Sequence, residues 1–183
     1  AVVSGLIAIR ARGKPEIAEF AAELNDTIRS LSAAHNYVRP GHGQRASTLS
    51  GLLADLLAPY GTPDHERFSV TGPGIRIGAR AATSLALIFH ELATNSAKYG
   101  ALSAPDGFVT VTVEADCEGD DTVCVTWDEN TRGGAVPTPG SPEGFGSQLL
   151  RVAVEGQLSG TFERTYSDDG LDIRIVFPRA SIQ

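Results

Sequence analysis

Residues 90–100 read HELATNSAKYG and follow directly on the apolar run SLALIF, residues 84–89. The spacing predicts one long helix over 79–99. On it Glu91, Asn95 and Lys98 stand at i, i+4 and i+7 and share a stripe, while Leu85, Ile88, Leu92 and Tyr99 fall on the neighbouring stripe that meets a sheet. A polar line at the margin of an apolar face can border a cleft. Asparagine is a neutral oxygen ligand suited to a hard cation such as Mg²⁺, which keeps waters and bridges phosphates. A carboxylate one turn earlier can accept a proton or orient water, and a lysine one turn later supplies charge for phosphate. By spacing alone, an amphipathic helix with solvated charges fits the same line.

The rest of the chain sets limits on that cleft. With 183 residues, 42% hydrophobic and 20% charged, the composition is that of an ordinary soluble globular protein able to bury a core. A net charge of −7 means that the surface as a whole attracts neither nucleic acid nor an acidic membrane, so a polyanion site must be local. Two cysteines, Cys117 and Cys124, are too few for a disulfide framework. They are expected as half-buried structural thiols in a reducing cytosol, with a facing pair across a hairpin as the alternative. No apolar run approaches the roughly 20 residues of a membrane span, and no signal peptide is evident. The chain has no Met and begins abruptly on AVVSGLIAI, as expected of a fragment of a longer protein.

The N-terminal third reads as helical. An apolar segment over 2–9 ends near Gly13-Lys14-Pro15. In the helix that follows, Ile17, Ala21, Leu24, Ile28, Leu31, His35 and Val38 step by four and three, a coiled-coil-like seam. This predicts a helical hairpin over 1–45 that pairs with a copy of itself into a four-helix bundle. Residues 41–48 are a polar hinge, and 46–183 form a second domain. There a short helix over 49–60 precedes strands at 68–71 and 75–77 around Gly72-Pro73-Gly74. Strands over 109–115 and 123–127 flank the turn 118–121, and a loop rich in Gly and Pro fills 130–143. A helix over 146–155 and strands near 161–166 and 171–177 close the chain. Strands and helices in this order indicate an α+β layer, one mixed sheet covered by helices.

Two further pieces carry chemistry. GFGSQLL, residues 144–150, opens a helix after the Gly/Pro loop, and its glycines let the backbone approach an anion closely. A plain loop-to-helix turn is the commoner use of such a G-x-G. Trp127-Asp128-Glu129 ends a strand; taken bare, the tryptophan is core and the glutamate solvated.

In their order, H-E-L-x-T-N-x-x-K-Y-G, W-x-E and G-F-G-S-x-L resemble the ATP-binding domain of the HWE family of sensor histidine kinases, from about Leu49 to Pro178. The resemblance implies a GHKL (Bergerat) fold with Mg²⁺ and ATP between helices and a lid over 131–143. It implies that Asn95 coordinates Mg²⁺, that Glu91 is the polarising or general-base carboxylate, and that Lys98 and Tyr99 lie at the nucleotide. Glu129 would stand where the usual Asp reads the adenine amino group. Gly144, Phe145, Gly146 and Ser147 would form the glycine box. His90 and Trp127 match the family's marker residues; the resemblance implies no chemical role for them beyond bracing the pocket. The family's Gly-x-Thr near the last strand is replaced here by Gly170-Leu171-Asp172, and the lid is short.

Such kinases carry their acceptor histidine on the first hairpin helix, just before residues like AVVSGLIAI, so the acceptor is expected outside this chain. His35, on the seam, is the lesser alternative. The implied protein is a homodimer that passes the phosphoryl group to a response regulator receiver domain, in the cytoplasm, with no nucleic acid and no membrane contact by this segment. Three rival readings stay open: a histidine phosphotransfer scaffold with a degenerate pocket, a GHKL kinase acting on serine, and a conformational ATPase.

Overall fold

The computed structural model describes residues 2–14, 17, 18, 20–22, 24, 25, 28, 48–61, 66–119, 121–131, 145–167 and 170–183. Most of the expected seam, with His35, lies outside them, as do His42, His65, residues 132–143 of the expected lid, and Gly144.

Helix α1, Val2–Ala11, ends before Gly13, whose φ of 77° lets the chain turn. Helix α2, Leu49–Leu57, is capped by Thr48, whose hydroxyl accepts from the Gly51 N–H at 3.2 Å. Its leucines point inward, and Leu49, Leu52, Leu53 and Leu57 are all buried. A 3₁₀ turn, Ala58–Tyr60, extends it. Strand β1, Phe68–Thr71, leads through Gly72 to the long helix α3, Ala79–Tyr99. Along α3, Leu85, Ile88, Phe89 and Leu92 are buried, and each such side chain withdrawn from water contributes about 1.5–3 kcal/mol.

Strands β2, Phe108–Ala115, and β3, Thr122–Asn130, form a hairpin; helix α4, Phe145–Arg151, continues as a π-helical turn, Val152–Gln157. Strands β4, Thr161–Tyr166, and β5, Gly170–Pro178, precede a last short helix, α5, Arg179–Ile182. The five-stranded sheet has the order β1-β2-β3-β5-β4, with β1 parallel to β2 and every other pair antiparallel. Period-two alternation sends Val109, Val111, Val113, Val123, Val125, Trp127, Ile173, Ile175 and Phe177 to the helix-covered face, all buried. The opposite face carries Thr110, Thr112, Thr126, Asp128 and Asp172. This is the expected α+β mixed sheet with helices on one side.

Three expectations need correction. Residues 75–77 are not a strand: only Arg76 pairs, in an isolated bridge with Thr48, while the Leu49 N–H bonds to the Ile75 carbonyl at 2.8 Å. Gly72, at φ 122°, explains why, since a Cβ there would stand 2.1 Å from the Val113 carbonyl oxygen, and the chain passes close over β2 and leaves the sheet. The two cysteines are not thiols. Cys117 and Cys124 form a disulfide across the β2–β3 hairpin, because the turn brings their Cα atoms to 6.1 Å, a separation that suits the bond. Tyr99 does not meet the sheet. It is 63% exposed, because α3 ends there and the following Ala101 and Leu102 take the buried positions instead.

Candidate functional site

The polar stripe of α3 faces the start of α4. Glu91, partly exposed, puts its carboxylate against Gly146: a Cβ built on that glycine would stand 2.7 Å from Glu91 Oε2. The bare backbone at 146 is therefore what admits the carboxylate. Tyr60 joins from the end of α2. Its hydroxyl is held above the ordinary tyrosine pKa, first by burial and then by the nearby Glu91 charge, so it stays protonated at neutral pH. No sequence motif flagged Tyr60; its position after Ala58-Pro59 gave only a helix end.

Asn95, one turn after Glu91, is partly exposed on the same stripe, and Lys98 and Tyr99 are exposed at the end of α3. Thr94, between them, turns back into the helix and donates to the His90 and Glu91 carbonyls at 3.0 and 3.1 Å. His90 is itself partly exposed beside Glu91. Ser147 is partly exposed one residue beyond Gly146, while Phe145 is described in its backbone only. The structure thus sets Glu91 of α3 against Gly146 of α4, with Asn95 one turn further along the Glu91 stripe. Among the described residues no group of three or more His, Cys, Asp or Glu could hold a metal ion. A cation there would take Asn95 and the oxygens of its own ligand.

Trp127 and Glu129 sit at the C-terminal end of α3, where Glu129 meets Gly100 and Ala101. They lie two residues apart on β3 and so share the inner face, where Trp127 is fully buried and Glu129 is 5% exposed. Trp127 Nε1 donates to Glu129 Oε1 at 2.9 Å, and the Ala101 backbone N–H donates to Oε2 at 2.9 Å. The solvated glutamate of the bare reading does not survive, whereas the core tryptophan does: Trp127 is fully buried and holds Glu129 by a hydrogen bond inside the core.

Two other residues around this turn escaped the sequence reading. Arg67 donates from Nη2 to the carbonyls of Ala101 and Gly107, both at 3.4 Å, and of Ala104. Ser96, buried, accepts from the Leu102 N–H at 3.2 Å. A basic residue preceding a strand and a serine within N-S-A carry no signal beyond ordinary polarity. On the far face of the sheet, Asp128 lies directly opposite Asp172. Its carboxyl is held above the usual carboxylate range, first by burial and then by the charge of and hydrogen bond to Asp172.

Residues 1–74 match the family described as HWE histidine kinase. Blue-light-activated histidine kinase 1 of Erythrobacter litoralis is 32% identical over 182 residues, 97% of this chain and 49% of that protein. The Blue-light-activated histidine kinase of Brucella ovis is 31% identical over 155 residues, 84% of this chain and 31% of that one. The chain spans about half the length, or less, of these relatives. Among solved structures, the histidine kinase domain of the Erythrobacter litoralis EL346 blue-light activated histidine kinase aligns with 100% of this chain and 88% of its own, at 17% identity and a TM-score of 0.60. The catalytic domain of histidine kinase ThkA aligns with 72% of this chain and 94% of its own, at 17% identity and a TM-score of 0.53. The fold is that of a GHKL histidine kinase catalytic domain.

Proposed function

The chain belongs to the HWE histidine kinase family, and from its site we propose that it is a kinase core that binds Mg-ATP and directs the γ-phosphoryl group to a histidine. The phosphoryl group then passes to a response regulator receiver domain. The observation that carries this reading is the seat of Glu91 against Gly146. It brings the polar stripe of α3 against the helix that follows the Gly/Pro loop, two motifs far apart in sequence.

The residues present fit the nucleotide. Gly146 stands at the start of α4, where backbone N–H groups suit an anion, and Asn95 offers a neutral oxygen one turn beyond Glu91 on α3. Asn95 would hold Mg²⁺, with Lys98 and the backbone of 144–147 near the phosphates. Bound ATP supplies the phosphoryl group and its leaving group. Glu91 accepts the proton of the attacking imidazole or orients it through water. Tyr60, kept protonated beside it, can donate to that carboxylate and hold its orientation. The domain's contribution is positioning and charge neutralisation rather than a covalent step.

We assign 1–45 to a dimerising helical hairpin and 46–183 to the catalytic domain. Leu6, Ile9 and Phe20 are 56%, 68% and 50% exposed, which favours a further apolar surface against those helices. The acceptor histidine comes from outside the described residues. Among the described residues no helix is long and apolar enough to cross a membrane, and a cytoplasmic kinase region is proposed. Calorimetric titration of this chain with ATP, with and without Mg²⁺, tests the reading. Mg-dependent binding supports it. No binding by a folded sample would leave the phosphotransfer scaffold in its place.

A further inference from the structure

The turn that ends α3 is held from four directions. The Gly100 N–H bonds to the Ser96 carbonyl at 3.0 Å, closing the helix. Ser96 Oγ accepts from the Leu102 N–H. The two ends of one peptide neighbourhood are taken by side chains of opposite charge: the Ala101 N–H goes to Glu129 and the Ala101 carbonyl to Arg67. The approach is so close that a Cβ at Gly100 would stand 1.9 Å from Glu129 Oε2, and one at Gly107 would stand 1.8 Å from the Ala101 carbonyl oxygen. Only glycine fits at both places.

A buried carboxylate is stable only when paired or hydrogen-bonded, and Glu129 meets that demand within the chain, one donor to each oxygen. Trp127, fully buried between Val111 and Ile173 of the neighbouring strands, fixes the carboxylate from the sheet. Asn95 and Lys98 lie on the last two turns of the helix that this carboxylate anchors. We infer that Trp127, Glu129 and Arg67 form a clamp on the Gly100–Ala101 turn, and that Glu129 is a positioning residue rather than the residue that reads the adenine amino group. The inference rests on the proposal that the polar stripe of α3 binds ATP. Its content is that W-x-E sets the height and rotation of the nucleotide helix without touching the base.

Adenosine and inosine triphosphates separate the two roles, because they differ at the purine 6-position, amino in one and oxo in the other. Each is titrated, with Mg²⁺, into the wild type and into Glu129→Gln and Trp127→Phe, and thermal unfolding of each variant is recorded. The clamp predicts that both variants weaken both nucleotides by the same factor, about tenfold, and that the double variant is no worse than the worse single one. A Glu129→Gln variant that loses ATP selectively, so that its preference for ATP over inosine triphosphate collapses while Trp127→Phe keeps it, would overturn the inference.

A second arm needs no nucleotide. Amide hydrogen exchange of Trp127→Phe is expected to speed up over 95–107 while the amides of β2, β3 and β5 keep their protection. Unchanged exchange over 95–107 overturns the clamp. If the wild type binds neither triphosphate, the kinase reading falls, and the exchange arm still decides the clamp. Should Trp127→Phe not fold, the near-isosteric Glu129→Gln carries both arms.

Discussion

Replacing Gly146 by alanine asks whether the contact between α3 and α4 serves chemistry or packing. The new Cβ would stand 2.7 Å from Glu91 Oε2 and 3.8 Å from its carboxyl carbon. Ordinary contact begins at about 3.4 Å, so the oxygen must retreat by roughly 0.7 Å. It is the far end of a flexible side chain and can do so by a torsional change costing about 0.5–1.5 kcal/mol. Against this, alanine exceeds glycine inside a helix by up to about 1 kcal/mol. The two nearly cancel, so the melting temperature of Gly146→Ala is expected within about 3 °C of the wild type. Activity has no such compensation: on the role proposed for Glu91, displacing its carboxylate by most of an ångström costs about tenfold to a hundredfold. Calorimetric melting and the initial rate of autophosphorylation by the full-length kinase at saturating Mg-ATP give the two numbers. A variant with unchanged melting and unchanged rate would falsify the role given to the Glu91–Gly146 seat. A collapse in melting would show that Glu91 is wedged in place and that the contact is structural.

Asn95→Ala is expected to abolish the Mg-dependent part of ATP binding while leaving the melt unchanged; titration with and without Mg²⁺ checks it, and unchanged affinity removes Asn95 from the metal role. Asp128→Asn relieves like charges directly opposite on neighbouring strands and should stabilise at pH 7 by a few tenths to about 1 kcal/mol. Because the folded-state pKa of Asp128 is raised, its stabilising contribution is complete below the unfolded value of about 3.9 and is lost as pH rises through the folded one. The advantage of the variant should therefore shrink towards zero as melts are taken down to about pH 4; an advantage independent of pH would point to packing instead. Reducing the Cys117–Cys124 bond, or making Cys124→Ser, should cost about 2 kcal/mol of stability with no change in ATP affinity. Chemical unfolding and nucleotide titration measure the two, and an accompanying loss of affinity would connect the hairpin to the site.

Regular periodicity made much of this fold legible. The three-and-four spacing of Leu85, Ile88 and Leu92 survives as a buried stripe because nothing interrupts α3 for 21 residues. The alternation in 109–113 and 123–127 survives because one face of the hairpin is covered. Short apolar pieces misled. Ile75-Arg76-Ile77 has strand alternation, but a glycine at positive φ had already turned the chain out of the sheet. Tyr99 continues the stripe of Leu92 by count, but a stripe has meaning only while the helix has a neighbour, and α3 stops at that residue. Pairings across the fold were least legible. A separation of seven residues does not say that Cys117 faces Cys124. Nor does Arg67, just before β1, reveal that it reaches carbonyls from Ala101 to Gly107. W-x-E was half legible: period two puts Trp127 and Glu129 on one face, but their common partner is a backbone N–H supplied by the end of another element.

That partner separates the two glutamates that flank α3. Glu91 lies partly exposed beside a bare glycine. Glu129 has both oxygens committed in the core, which suits geometry and leaves little for a ligand. One substitution turns the contrast into a choice. In related kinases the residue at the adenine is usually Asp, so a base-reading role predicts that Glu129→Asp keeps ATP affinity. The clamp predicts the reverse, because a carboxylate one methylene shorter cannot hold Trp127 Nε1 and the Ala101 N–H at once. Losing one hydrogen bond to a buried charge costs about 1.5–3 kcal/mol. Glu129→Asp should therefore melt several degrees lower and bind ATP and inosine triphosphate equally less well. A variant that keeps its melt and its ATP affinity would return Glu129 to the base, because a carboxylate that can shorten without loss is not spanning two fixed donors.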